Sequence, residues 1–288
     1  GSRRFALLTL GPLSRSEHRN LLTSLLGDVP VSDLVVEHLY ATTEGNPFFT
    51  GEVVRSLLSN DTAAEGADTW LLLSPSHLSS ALPATIQQAI DRRLGRLPEA
   101  LREILVCATV IGKTFDAREL EQLAREADDL DEAIDRLVQE GLLVEERSSR
   151  GDRLSFASGV VREVLYAQIP RRRRRSLHRR YATYLEGRYA NRIERVYAQL
   201  LHHYAEGDVP DQSVLYGVRA ARQSIAAFNP DEAIRAARTA LEFLDEEWDG
   251  DPAAHGEVHE LLATAYRMNG NLDGALREVE AAIAVYRG

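Results

Sequence analysis

Thr43-Glu44-Gly45-Asn46-Pro47-Phe48-Phe49 lies between two segments of helical periodicity, and the way it turns decides how the first part of the chain folds. Upstream, Leu34, Val35, His38, Leu39 and Thr42 recur at helical spacing; downstream, Phe49, Val53, Val54, Leu57 and Leu58 do the same. Gly45 suits the left-handed conformation that closes a helix. Pro47, with its fixed φ and no N–H to leave unbonded, suits the first position of the next helix. Such a turn presents an apolar edge and nearly free backbone groups at a helix N-terminus. It serves either as a plain helix connection or as a contact for a flat ligand.

Working outward, residues 13–96 read as a small helical unit. Ser14 and Glu17 form a capping-box pattern ahead of Leu21, Leu22, Leu25 and Leu26, and Gly27 ends that helix. After the turn and its second helix come a polar loop over 59–69, a short apolar run from Trp70 to Leu73, and a helix entered at Leu82-Pro83 and carried by Ile86, Ile90 and Leu94. Residues 97–180 change pattern. Three helices are predicted, one through Leu101, Ile104, Leu105, Ala108 and Ile111, one through Leu120, Leu123 and Ala124, and one through Leu130, Ile134, Leu137 and Val138, closing at Gly141. Strand patterns over 142–146 and 153–156 then flank Ser-Ser-Arg-Gly-Asp, a hairpin signal. Three helices and a hairpin predict a winged helix, a variant of helix-turn-helix. Residues 181–288 are helical throughout and carry a weak repeat. Leu262, Ala263, Tyr266, Gly270, Ala275, Val279 and Ala282 match the spacing of a tetratricopeptide (TPR) unit, and Ala220, Ala221, Ala233, Ala237 and Ala240 form a degenerate earlier copy, with 246–253 as an insertion. The expected fold class is therefore mainly α.

Composition restricts the classes of function. With 44% apolar and 27% charged residues over 288 positions, the chain has the make-up of a globular protein of two or three domains. A net charge of −10 argues against a general nucleic-acid coat. Cys107 is the single cysteine, which removes a disulfide framework and any cysteine-based zinc site and points to a reducing, cytoplasmic setting. No apolar run reaches the length of a membrane span. Gly1-Ser2 reads as a cloning scar, and the chain as a fragment.

Four features invite a chemical reading. Gly112-Lys113-Thr114 imitates the end of a phosphate-binding loop, but the first glycine of that motif falls on Cys107 and the preceding residues are helical, so it reads as a helix end and turn. Arg171 to Arg175, continued by Arg179 and Arg180, is the one basic cluster. Arg172 and Arg175 are its candidate phosphate contacts, while the competing reading is the solvated face of a helix buried through Leu177, Tyr181, Tyr184 and Leu185, with Asp128, Asp129, Asp131 and Glu132 as acidic partners. His202-His203 suggests a metal, but adjacent helical residues point apart and no cysteine or acid stands at ligand spacing, so no metal is expected. The third helix of the predicted winged helix carries Asp129, Asp131, Glu132, Asp135 and Glu140 against Arg136, the wrong sign for a phosphate backbone. No catalytic triad emerges.

Leu10-Gly-Pro-Leu-Ser, Thr43-Glu-Gly-Asn-Pro-Phe-Phe, Leu82-Pro-Ala-Thr-Ile-Gln, Ala108-Thr-Val-Ile-Gly, Glu140-Gly-Leu-Leu and Arg162-Glu-Val-Leu-Tyr, in that order, resemble the STAND class of signalling ATPases. The nearest branch is the bacterial one that includes large transcriptional activators, ATPase-linked kinases and class III adenylyl cyclases. The resemblance covers most of residues 7–245. It implies a nucleotide-binding core (of which residues 1–12 would be a remnant), a helical lid at 13–96, a winged helix at 97–180 and a TPR-like sensor array at 181–288. It places Gly45, Asn46 and Pro47 against the adenine. Where such proteins carry a phosphate-contacting histidine, this chain has Phe156-Ala157-Ser158, leaving Ser158 as the hydrogen-bonding residue.

The function expected from the resemblance is that of a regulatory segment of an ATP-dependent signalling protein or transcriptional regulator. ATP or ADP would be held by the parent protein and not by the fragment alone, and the segment itself would not be an enzyme. Its partners would be the core domain and a protein bound by the helical repeats, with neither membrane nor nucleic acid. The alternatives are a DNA-binding winged-helix protein with a helical dimerisation tail, and a TPR-like peptide-binding scaffold.

Overall fold

The computed structural model describes residues 11–27, 31–58, 86–124, 129–146, 153–244 and 253–287. Several sequence readings lie outside these residues: the core remnant up to residue 10, the 59–69 loop, Trp70–Leu73, the Leu82-Pro83 helix entry, the hairpin tip, Asp128 and most of the 246–253 insertion. The side chains of Leu57, Leu58 and Ile86 lie outside them too. Among the described residues the chain is mainly helical, with one small antiparallel sheet. It divides into two compact units, residues 1–102 and 103–288.

The first unit contains α1 (Arg15–Leu25), α2 (Asp33–Thr43), α3 (Pro47–Leu58) and α4 (Ile86–Gly95). Ser14 caps α1 through the expected capping box with Glu17, and the Ser32 hydroxyl caps α2 by accepting from the Val35 amide. The first three helices pack on one another and α4 packs on α3. Leu22, Val35, Val36, Leu39, Phe49, Val53, Val54 and Ala89 make the apolar core. The buried face of α2 differs from the one predicted: Val36 and Thr43 are inside, and Leu34 is 66% exposed. Several apolar residues in a row leave the phase of a short helix undetermined until its neighbours are placed.

α5 (Glu99–Ile111) runs across the boundary between the units. In the second unit, β1 (Thr114–Asp116), α6 (Ala117–Leu123), α7 (Leu130–Gln139), β2 (Leu143–Glu146), β3 (Arg153–Phe156) and α8 (Gly159–Gln168) follow. The strands are antiparallel in the order β1-β3-β2, with Phe115 opposite Leu154 and Leu143 opposite Phe156. β1 is an addition to the expected two-stranded hairpin. It is three residues long, too short for an alternation to register, and it ends on Asp116, whose side chain caps α6. Gly112-Lys113-Thr114 is thus a helix end followed by a strand, and the Lys113 carbonyl accepts from the Phe156 amide at 3.0 Å.

The remainder is α9 (Arg171–Arg188), a 3-10 segment (Ala190–Val196), α10 (Tyr197–Glu206), α11 (Pro210–Ala226), α12 (Pro230–Leu241), α13 (Ala253–Met268) and α14 (Leu272–Arg287). α9 is continuous through the boundary drawn between 180 and 181. Each of these helices packs on the next, and α10 also meets α12, and α11 meets α13. Three of the joints share one geometry. Asp208, Phe228 and Gly270 take positive φ, and the amides of Val209, Asn229 and Asn271 reach back to Tyr204, Ser224 and Tyr266. That is the Schellman arrangement, which satisfies carbonyls that a helix end would otherwise strand. Between α11 and α12 the contact is made by small residues: Ala220, Ala221, Ala233, Ala236, Ala237 and Ala240 are buried. A Cβ on Gly217 would come within 2.6 Å of the Ala240 Cβ, so the backbones approach as closely as only glycine permits.

Among the described residues, no helix is long and apolar enough to cross a membrane.

Candidate functional site

The opening turn folds as its residue types require. α2 ends at Thr43, Glu44 and Gly45 take φ of 50° and 72°, and Pro47 begins α3. The need for glycine is twofold. A Cβ at Gly45 would lie 2.5 Å from the Leu13 carbonyl oxygen, and the positive φ is itself costly for a side chain. The approach is real contact: the Leu13 amide donates to the Gly45 carbonyl at 2.8 Å, and the Tyr40 hydroxyl donates to the Leu13 carbonyl at 3.2 Å. The chain entering α1 is strapped across the turn.

This alters the expectation of nearly free backbone groups. Asn46 accepts from the Phe49 amide through Oδ1 at 3.1 Å, and its carbonyl accepts from both the amide and the hydroxyl of Thr50 at 2.9 Å. Pro47 has no amide to offer, so the Phe48 N–H is the one first-turn donor these caps leave over. Beside the turn opens a cleft of about 650 Å³, lined by Gly11, Pro12, Thr42, Thr43, Glu44, Asn46, Pro47 and Phe49. Asn46 and Pro47 therefore stand on its wall. Gly45 supports that wall from behind, turned toward Leu13. Two prolines and a phenylalanine supply apolar surface, and Thr42, Glu44 and the Asn46 amide supply polar groups, a combination suited to a small planar molecule with polar edges.

Behind the cleft lies a buried polar group that sequence reading passed over. His18, Thr43 and Thr50 are at most 2% exposed. His18 Nε2 lies 3.1 Å from the Thr50 hydroxyl and 3.3 Å from that of Thr43. The Thr43 hydroxyl donates to the Leu39 carbonyl and the Thr50 hydroxyl to the Asn46 carbonyl, at 2.8 and 2.9 Å. With both hydroxyl hydrogens used, Nε2 is the donor, and the imidazole is the neutral Nε2–H tautomer. Its Nδ1 has no hydrogen-bond partner among the described residues. Burial holds the His18 pKa below the ordinary histidine value. A histidine directly after the Ser14–Glu17 capping segment is a weak signal, because its partners come from α2 and α3.

The other candidates belong to the second unit. Ser158 is the N-cap of α8, accepting from the Val161 amide at 3.4 Å. The arginines of α9 act mostly as internal ties. Arg173 pairs with Glu103, Arg175 with Asp208 at 2.8 Å, and Arg188 with Glu119 at 3.5 Å. Arg179 donates to the Gly207 carbonyl at 2.6 Å and Arg180 to the Leu123 carbonyl at 3.0 Å. Among the described residues the partners are therefore carbonyls and acids brought in by the fold, in place of the expected Asp129, Asp131 and Glu132. Arg172 is exposed. Leu177, Tyr181 and Leu185 form the buried face of α9, with Tyr184 partly covered.

Residues 14–65 are similar to a family described as a domain of unknown function (DUF8739). The matched stretch contains α1, α2, α3 and the turn that walls the cleft. No curated protein matches the chain.

Proposed function

We propose that this chain is the regulatory segment of a STAND-type ATP-dependent signalling protein, with a lid at 13–96, a winged helix at 97–180 and a TPR-like array at 181–288. The observation that carries the reading is the cleft at Asn46 and Pro47, which lies where the resemblance puts the adenine. Its apolar wall with a polar rim and its backing of buried hydrogen bonds suit one face of a nucleobase. The remaining face and the phosphates would belong to a core domain. Further support comes from the order α5, β1, α6, α7, β2, β3, three helices ending in a hairpin of adjacent strands, which suits a winged helix. The recurrent Schellman joints and alanine contacts of α10–α14 support a repeat array.

In a protein that joins this chain to a nucleotide-binding core, photo-crosslinking with 8-azido-ADP should label residues within 42–49, and Gly45→Val should abolish the labelling by forcing the strap off the turn. Labelling confined to the core, and indifferent to Gly45→Val, would sink the proposal. The chain alone should not hydrolyse ATP, and Lys113→Ala should change nothing.

A protein partner for the array is favoured by a specific feature of α14. Leu272, Leu276, Val279, Ile283 and Tyr286 recur at alternating spacings of four and three, and all are 42–67% exposed. That is the seam of a helix–helix contact, so the partner it fits is another amphipathic helix. Val279, expected inside a repeat, thus lies on the outer face. Leu276→Glu should eliminate binding of such a partner without lowering the helix content. DNA binding has less support. The exposed positions of α7 include Asp131, Glu132 and Asp135, and most arginines of α9 are committed to internal partners.

A further inference from the structure

α9 and α10 pack together, and their contact brings His178 of α9 to the adjacent His202 and His203 of α10. His178 and His203 are buried, at 0% and 4% exposure, and His202 is exposed. One ring nitrogen from each lies within 4.8 Å of the others. The adjacent His202 and His203 do not point apart; their ring centroids are 4.9 Å from each other, and His178 closes the group at 5.6 Å and 5.0 Å. The closest approach is between the Nδ1 atoms of His178 and His203, at 2.9 Å.

The protons around this pair can be assigned. The Tyr166 hydroxyl donates to Glu206 Oε2 at 3.1 Å, and it lies 2.9 Å from His178 Nε2. With its hydrogen directed to the carboxylate, the hydroxyl accepts from His178 Nε2–H. His178 Nδ1 is then a lone pair directed at His203. This is the arrangement found behind metal-bound histidines, where the far N–H is anchored to a carboxylate or a group bonded to one.

We propose that His178, His202 and His203 form a binding site for a divalent transition-metal ion of the zinc, nickel or copper kind. A metal–imidazole bond is about 2.0–2.1 Å, so two ligands at ordinary coordination angles stand about 2.9–3.3 Å apart, the spacing already set between the two Nδ1 atoms. Metal entry displaces the proton shared by that pair. It moves from His203 Nδ1 to Nε2, a tautomer shift by which both rings bind in their neutral form. His202, on the surface, is the third ligand and the entry point, and water completes the coordination. The three-nitrogen set lacks carboxylate ligands, which excludes magnesium and calcium.

The test is a titration of the tag-free chain with Co²⁺, followed by displacement with Zn²⁺. The expected result is one equivalent of Co²⁺ giving visible d–d bands of low coordination number, bleached by Zn²⁺, with a rise in Tm when Zn²⁺ is present. His202→Ala should weaken Zn²⁺ binding at least tenfold, with circular dichroism of the metal-free variant matching the native chain. His203→Gln should abolish the cobalt bands, and circular dichroism will show whether it remains folded. Absence of cobalt bands in the native chain would overturn the proposal. So would Zn²⁺ affinity equal in native chain and His202→Ala, which would mean adventitious binding at other histidines only.

Discussion

The interior of the first unit and the α11–α12 contact of the helical array are built on opposite principles. Around α1–α3 the core contains His18, Thr43, Thr50 and Glu52, all nearly inaccessible and tied by directional bonds. Glu52 bonds Arg93 across to α4 at 2.7 Å, and Arg93 is only 14% exposed. Between α11 and α12 the array uses glycine and alanine, whose contact is governed by shape alone. A polar interior tolerates few geometries, because each buried group that loses its partner costs about 1–3 kcal/mol. A small-residue interior specifies distance but not chemistry. The first arrangement suits a site whose walls must hold one form; the second suits a stack of similar units that accepts further neighbours.

The largest effect should come from violating the distance rule. Gly217→Val places side-chain atoms inside the α11–α12 contact and should destabilise the second unit by about 3 kcal/mol or more. Adding Ala240→Gly should recover part of the loss, which urea melts of single and double variants would measure. If Gly217→Val melts like the native chain, the close contact is not part of the folded state. Next is the polar interior. Glu52→Ala removes the carboxylate that both Arg55 and Arg93 bond and should cost about 2–3 kcal/mol, with Glu52→Gln between it and the native chain. Equal loss in both would mean that packing, not charge, is what Glu52 supplies.

A smaller change, in the other direction, is expected at an array joint. Phe228 is 85% exposed and holds a φ of 56°, so Phe228→Gly removes backbone strain without removing packing. It should stabilise the second unit by about 1 kcal/mol, visible as a raised Tm. The subtlest prediction is a pH slope. His18 is neutral when folded and its pKa is lowered from 6.5, whereas the unfolded chain takes up the proton near that value. Its contribution is therefore complete above about pH 6.5 and is lost as the pH falls below it. Hydrogen exchange in α1 should show increased opening on acidification, and His18→Gln should flatten that trend. A slope unchanged in His18→Gln would assign the acid sensitivity elsewhere.

The backbone of this comparison was partly legible in the chain. Ser14 with Glu17, and Gly141 after α7, act through bonds to residues a few positions away, and Gly45 and Pro47 shape the turn through their own backbone dihedrals, so these roles could be read locally. The mainly helical class followed from periodicity in the same way. The buried side of α2, the strand β1 and the partners of the α9 arginines were not legible, because each is selected by a surface contributed from elsewhere. The candidate site divides along the same line. Asn46 and Pro47 were identifiable as the start of α3, but Gly45 turned out to serve the Leu13 strap and not the cleft wall. His18 became part of the site only when α2 and α3 delivered Thr43 and Thr50 to it.

By itself, the sequence determined where helices begin and end, which segments are apolar enough to pack and where the chain must turn left-handed. These depend on propensities and capping bonds that span at most a turn of helix. Tertiary structure alone decided which polar atoms share an interior: His18 with the two threonines, and His178 with His203 of another helix. Convergence of that kind depends on how whole helices pack, and no spacing along the chain encodes the distance between two of their faces.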